Sequence, residues 1–260
     1  EKPSVPFVAV PTTAGTGSEV TKNAVLSSSE QRVKVSLRSV HLLPRIALVD
    51  SELTHGVPPE TTAATGLDAL TQVLEPYVSV ARNPLVDAVC LEGLRRGSRA
   101  LRRAFSDGND ADAREDMALT SLFGGLALAN AKLGAVHGFA APLGGMFSAP
   151  HGALCARLLP LVMAANLRAL QAREPASPVL ERYRIVARIV TGDSGARAED
   201  GVRWAEELVR ELGIPSLGAY GMHSDDITAV VIKARQASSM KGNPIELSVE
   251  ELSSILELAL

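Results

Sequence analysis

The chain has 260 residues, 46% of them hydrophobic and 21% charged, with 26 basic against 29 acidic side chains and a formal net charge of −3. That length buries a sizeable core as one large domain or two smaller ones. The balanced charge and 3% aromatics argue against nucleic acid or a membrane surface as partner, and two cysteines, Cys90 and Cys155, cannot build a disulfide scaffold.

In chain order, VPFVAV (5–10) reads as a short valine-rich strand buried on both faces and ended by Pro11. Val20, Asn23–Leu26 and Val33–Leu37 flank the polar SSSEQR, the pattern of a hairpin. IALVD (46–50) is another strand, and its Asp50 opens a polar connection to Pro58-Pro59. After Pro59 the texture becomes helical, with helix-like spacing over 61–80, 84–105, 112–130, 152–170, 178–191, 199–212 and 225–238. A last helix is expected over 248–260, opened by the capping box Ser248-Val-Glu-Glu251. Prolines and glycines mark the joints. The β part reads as the last piece of an α/β sheet, with a compact fold around a small sheet as the competing reading. No uninterrupted apolar run approaches the ~20 residues that span a bilayer. The first residues, EKPSVPFVAVPTT, lack the basic-then-apolar pattern of a signal peptide, so a cytoplasmic location is expected.

Three segments could carry chemistry. The loop PTTAGTGSEVT (11–21) follows a strand and offers five hydroxyls and two glycines, which suit phosphate or ribose oxygens. The plain alternative is an ordinary loop at a sheet edge. In the helix over 61–79, Asp68 and Gln72 share one face, with Thr65 and Glu75 as neighbours. A carboxylate among Leu67, Ala69 and Leu70 calls for a partner or a cation, unless it lies on a solvated face. AVHGFAAPLGGMFSAPHGALCA (135–156) holds His137 and His151, each followed by glycine, and Pro142, Gly144, Gly145 and Pro150 are expected to interrupt any helix between them. A bent apolar segment can aim both imidazoles at one point and, with Asp68, leave metal coordination positions open. His41 and His55, in polar connections, and His223, before the Ser-Asp-Asp of a helix start, each read as a surface histidine or a cap. Cys90 and Cys155 read as small apolar fillers, and the charged stretch 95–116 as a solvated face.

The order of PTTAGTGSEVT, TGLDALTQVLEPY and VHGFAAPLGG…PHG resembles the iron-containing (group III) alcohol dehydrogenase family, as do RIALVDSELT, LLPLVMAAN and GNPIELSVEEL. The resemblance implies an α/β plus all-α fold. Residues 1–57 would be the C-terminal part of a dinucleotide-binding α/β domain, and 58–260 a helical metal- and substrate-binding domain of the dehydroquinate synthase-like, iron alcohol dehydrogenase type. The GGGS-type pyrophosphate loop of such proteins is not among these residues, so the front part of the nucleotide domain is expected to be missing. Carried over by position, Thr12, Thr13, Thr16, Thr21, Asn23 and Lys34 would meet NAD or NADP, and Asp68, His137 and His151 a divalent metal, Fe2+ or Zn2+.

Two positions depart from the family pattern. Gln72 stands where the family has a histidine, and Ala141 where it often has a proton-relay histidine. As a fourth ligand, Gln72 would offer only a carbonyl oxygen, so weaker metal binding is expected, with zinc suited to the set. The implied activity is hydride transfer between a nicotinamide cofactor and a small alcohol, aldehyde or ketone, in a homo-oligomer, with no assigned proton-relay residue. The rival readings are a metal-independent, maleylacetate-type oxo-acid reductase and a truncated, non-catalytic helical interaction module.

Overall fold

The computed structural model describes residues 4–28, 30 and 33–260, the side chains of Ser27 and Val33 excepted. Four strands lie in the first fifty residues. VPFVAV yields only β1 (Val8–Ala9). Next come β2 (Asn23–Ser28) and β3 (Val33–Arg38), the expected antiparallel hairpin, with Asn23 opposite Arg38 and Leu26 opposite Val35. Of its expected turn, Ser29, Gln31 and Arg32 lie outside the described residues. β4 (Ile46–Ala47) returns to pair in parallel with β1, Val8 opposite Ile46. The expectation of a strand buried on both faces is corrected. Val8 and Ile46 are 54% and 57% exposed, because the pair is two strands wide and the helices leave it uncovered.

The helical part begins where two prolines end the extended connection. Its elements are α1 (Pro59–Val78), α2 (Pro84–Ser106), α3 (Ala111–Asn130), α4 (Ala135–Met146), α5 (His151–Arg173), α6 (Pro178–Thr191), α7 (Ala198–Glu211), α8 (Ile227–Gln236) and α9 (Val249–Ala259). Eight of these nine match the expected spacing to within three residues at each end. Pro59, Pro84 and Pro178 sit in first turns, where the missing N–H costs nothing. Ser248 caps α9 as its sequence announces: its Oγ accepts from Glu251 N at 3.2 Å, and its own N–H donates to Glu251 Oε2 at 2.7 Å.

α1 is the hub. It packs on α2, α3, α5 and α6 and is buried continuously from Gly66 to Val78. A helix apolar nearly all round belongs at the centre of a bundle. That makes its polar members, Asp68, Thr71, Gln72 and Glu75, the informative ones. α5 is long and apolar enough to cross a membrane by length and composition, but 78% of its most apolar stretch is buried inside the bundle. Within the charged stretch 95–116, Arg114 departs from the expected solvated face. It is 4% exposed and donates to the Gly108 carbonyl at 2.9 Å and to Thr62 Oγ1 at 3.0 Å, tying α3 to α1.

α4 corrects a second expectation. Pro142, Gly144 and Gly145 do not break it. Tertiary partners hold its first turn: Ala135 N donates to Asn243 Oδ1 at 3.1 Å, and Val136 N to Glu75 Oε1 at 2.7 Å. Acceptors there satisfy orphan N–H groups and meet the positive end of the helix dipole. The glycines serve close packing instead. A side chain at Gly138 would press on Met240, and one at Gly144 on the Lys34 amine from β3.

Candidate metal centre

Three helices converge on one point. α1 supplies Asp68 from its buried middle, α4 supplies His137 from its first turn, and α5 supplies His151 from its first residue and Cys155 one turn later. His137 Nε2 lies 3.3 Å from Asp68 Oδ1, and His151 Nε2 lies 3.8 Å from the same oxygen. Cys155 Sγ is 3.7 Å from His151 Nε2. One donor atom from each of the four residues lies within 4.8 Å of the other three. The glycine after each histidine explains the convergence. A Cβ at Gly152 would overlap the Ala64 carbonyl of α1, so only glycine lets the start of α5 reach Asp68, one turn further along. Gly138 similarly admits Met240 against α4.

Asp68 and His137 are 2% and 6% exposed, yet Asp68 Oδ1 and His137 Nε2 have no hydrogen-bond partner. Buried polar atoms left so are rare and costly. The other ring nitrogen of His137 is fully engaged, with Nδ1 2.7 Å from Glu75 Oε2. Glu75, itself 4% exposed, thus fixes the ring with Nε2 towards the cluster. Burial pushes the Asp68 carboxyl up, but the His151 and His137 imidazoles more than offset it and hold it below the ordinary range. Burial opposes charge on His137, yet Cys155, Asp68 and Glu75 raise it well above an ordinary imidazole. His151 is raised to about 9, first by Cys155 and then, against burial, by Asp68. The site therefore draws positive charge. A carboxylate, two imidazoles and a thiol around unsatisfied buried atoms form a donor set that fits a divalent transition metal.

Of the expected ligands, Asp68, His137 and His151 are brought together. Gln72 has another partner: its amide nitrogen donates to the Thr16 carbonyl in the hydroxyl loop. This bond engages the amide nitrogen and not the carbonyl oxygen that would serve as a ligand. The loop is seated on α3 as well. Gly17 N donates to Ser121 Oγ at 3.2 Å, and a Cβ at Gly17, where φ is +59°, would overlap the Ser121 carbonyl. Thr12, Thr13 and Thr16 stand exposed on this loop, whereas Thr21 is buried, its hydroxyl donating to the Ser18 carbonyl at 3.0 Å. Asn23 and Lys34 are half-buried on the hairpin, and the Lys34 amine lies against α4 at Gly144.

Cys155 and Glu75 are the site residues that sequence reasoning passed over. Cys155 corrects the reading of both cysteines as fillers, and the available signal was its place one helical turn after His151. Glu75 had been noticed only as a neighbour on the Asp68 face. The GNPIEL segment supports the site from behind. Asn243 holds the α4 N-terminus, donates to Asn166 Oδ1 at 2.7 Å, and accepts from Asn166 Nδ2 at 3.2 Å. His223 sits at a helix start as expected, its N–H donating to Asp226 Oδ2 at 2.9 Å. His55 is half-buried and caps the C-terminus of the 3-10 turn Ser51–Thr54, its Nε2 buried without a hydrogen bond, and His41 is half-buried in the one-turn 3-10 helix Val40–Leu42.

Comparison with known proteins identifies the family. Residues 62–260 match the family model described as Fe-containing alcohol dehydrogenase family, C-terminal, and residues 1–51 match that of iron-containing alcohol dehydrogenase. The lactaldehyde reductase of Escherichia coli (strain K12) is 37% identical over 264 residues, covering 99% of this chain. The chain spans 66% of that relative's length. The solved alcohol dehydrogenase from Oenococcus oeni superposes with a TM-score of 0.90 at 35% identity, covering 100% of this chain and 67% of that one. Sulfoacetaldehyde reductase from Bifidobacterium kashiwanohense, solved in complex with NAD+, superposes at 0.84 with 28% identity, covering 98% of this chain and 65% of that one. The order of the motifs, the fold and the converging donor atoms have one common explanation: this chain belongs to the iron-containing alcohol dehydrogenase family.

Proposed function

We propose that the chain is the metal-binding part of an oxidoreductase that moves a hydride between a nicotinamide dinucleotide and a small alcohol, aldehyde or ketone. One observation carries the reading: two buried, unsatisfied atoms, Asp68 Oδ1 and His137 Nε2, face each other and the His151 ring. Asp68, His137 and His151 would hold the metal, which when bound supplies Lewis acidity towards an alcohol or carbonyl oxygen. Glu75 keeps its hydrogen bond to His137 at Nδ1, leaving Nε2 free as a donor. The burial of Asp68 and His137 excludes water from one side of the site, while the 39% exposure of the His151 side chain leaves the other side open to substrate.

In this reading Gln72 is a positioning residue. Its bond to the Thr16 carbonyl ties the hydroxyl loop to the helix that carries Asp68, which fixes cofactor and metal relative to each other. Thr12, Thr13 and Thr16 are the exposed hydroxyls for cofactor oxygens, with Asn23 and Lys34 nearby on the hairpin. The cofactor is NAD(H), as in the sulfoacetaldehyde reductase complex. In the same reading the boundary between nucleotide and metal domains is set at 57/58, which the start of α1 at Pro59 supports. A cytoplasmic setting, where thiols stay reduced, would keep the free Cys90 and Cys155 as thiols.

The test is metal content. The chain loaded with zinc and then desalted is expected to retain about one ion, and Asp68→Ala to retain almost none. Equal content in both would remove Asp68 from the site and with it the metal-dependent reading.

A further inference from the structure

We infer that Cys155 is the fourth metal ligand of this chain, beside Asp68, His137 and His151, and that it makes the centre a thiolate-containing, zinc-class site. The inference rests on the metal reading of the previous section and sharpens it.

The geometry carries it. Cys155 follows His151 by one turn of α5, so both side chains leave the same face of a rigid helix. A tetrahedral ion with bonds of about 2.0–2.1 Å to oxygen and nitrogen and about 2.3 Å to sulfur sets its ligands about 3.3 Å apart, or about 3.6 Å where sulfur is one of the pair. The distances here are 3.3 Å for Asp68–His137, 3.8 Å for Asp68–His151 and 3.7 Å for His151–Cys155. Three of the six ligand–ligand distances thus lie within about 0.5 Å of such a tetrahedron, and all the donor atoms lie within 4.8 Å of one another. Cys155 itself is wholly buried. The pull towards a cation comes independently from Asp68 Oδ1 and His137 Nε2, which are buried, unpartnered and part of the same cluster.

The chemistry follows from the donor set. When the ion binds, the Sγ–H bond of Cys155 breaks and a metal–sulfur bond forms, and this proton, with any proton held on His137 Nε2 or His151 Nε2, leaves to solvent. Thiolate with two imidazoles favours zinc over iron(II), both by softness and by the order of divalent affinities. The substrate oxygen would enter as a fifth ligand, an expansion that zinc allows. Gln72 meanwhile stays with Thr16.

Cobalt(II) tests the ligand set without any activity measurement. The metal-free chain, titrated with cobalt(II), is expected to show both visible d–d bands and a near-ultraviolet sulfur-to-cobalt charge-transfer band. Cys155→Ala and Cys155→Ser are expected to keep the d–d bands through Asp68, His137 and His151 and to lose the charge-transfer band. Their zinc affinity should fall by more than the roughly 10–100-fold that follows loss of an outer ligand partner. Cys90→Ala is expected to keep the charge-transfer band, and circular dichroism checks that each variant is folded. Visible bands without a charge-transfer band in the unsubstituted chain, or a charge-transfer band that survives in Cys155→Ala, overturns the thiolate and leaves the metal centre standing. A folded chain that takes up no cobalt at all overturns the metal reading and this inference together.

Discussion

At His137 the two ring nitrogens have different tasks. Nδ1 is held by Glu75 Oε2 at 2.7 Å, and Nε2 faces Asp68 without a hydrogen bond. Glu75 must accept from two donors, Nδ1 of His137 and the N–H of Val136. Glutamine has one acceptor oxygen, so Glu75→Gln either gives up one of the two bonds or donates to Nδ1 and moves the ring proton to Nε2, where it blocks the ligand atom. The variant is expected to weaken zinc binding by about 10–100-fold in a chelator competition, while remaining folded. Unchanged affinity would show that Glu75 does not set the ring. Gln72→Ala is the complementary case. It is expected to leave metal content unchanged and to weaken NADH binding measured by fluorescence titration, because the Thr16 carbonyl loses its tie to α1. If the metal is lost instead, Gln72 is a ligand after all. These assignments were only half legible in the sequence. Asp68, His137 and His151 stood out because polar residues in apolar segments are conspicuous. Cys155 did not, because a cysteine among leucines and alanines looks like a filler until the fold shows what lies across from it.

At the scale of elements, the site is an outcome of close helix approach. α5 reaches α1 because residue 152 has no Cβ, and the hydroxyl loop sits on α3 because neither Gly17 nor Gly125 has one. Gly152→Ala is expected to cost about 1–3 kcal/mol of stability, the usual penalty for overpacking, and to loosen metal binding by moving His151. Denaturant unfolding with and without zinc checks both effects, and a Gly152→Ala chain as stable as the original would contradict the packing argument. The helices with clean apolar spacing and proline starts were readable in advance. α4 was not, because Pro142 and its glycines carry the local marks of an interruption, and what holds the helix is remote in sequence: Glu75 from α1 and Asn243 from the GNPIEL segment. Local propensity loses when tertiary partners satisfy the first turn. The hairpin was legible from its polar turn, whereas β1 and β4 shrank to two residues each, since strand length depends on neighbours that a run of valines does not disclose.

For the whole molecule, the proposed metal centre would link α1 to the successive helices α4 and α5, which lie far from it in sequence. An ion that binds only the folded chain stabilises it by about 2.7 kcal/mol at a free concentration 100 times its dissociation constant. Zinc is therefore expected to raise the melting temperature of the chain and to leave that of Asp68→Ala where it was. Equal shifts in both would place the ion elsewhere. The uncovered β1–β4 pair, with Val8 and Ile46 exposed, lies in a chain that spans 66% of the length of the Escherichia coli relative. The centre itself can be examined directly in this chain. In crystals grown with zinc, an anomalous difference map at the zinc edge is predicted to show one strong peak about 2.0–2.2 Å from Asp68 Oδ1, His137 Nε2 and His151 Nε2. A map with no peak among those three atoms, or with its peak on other residues, would contradict the metal centre and the hydride-transfer chemistry built on it.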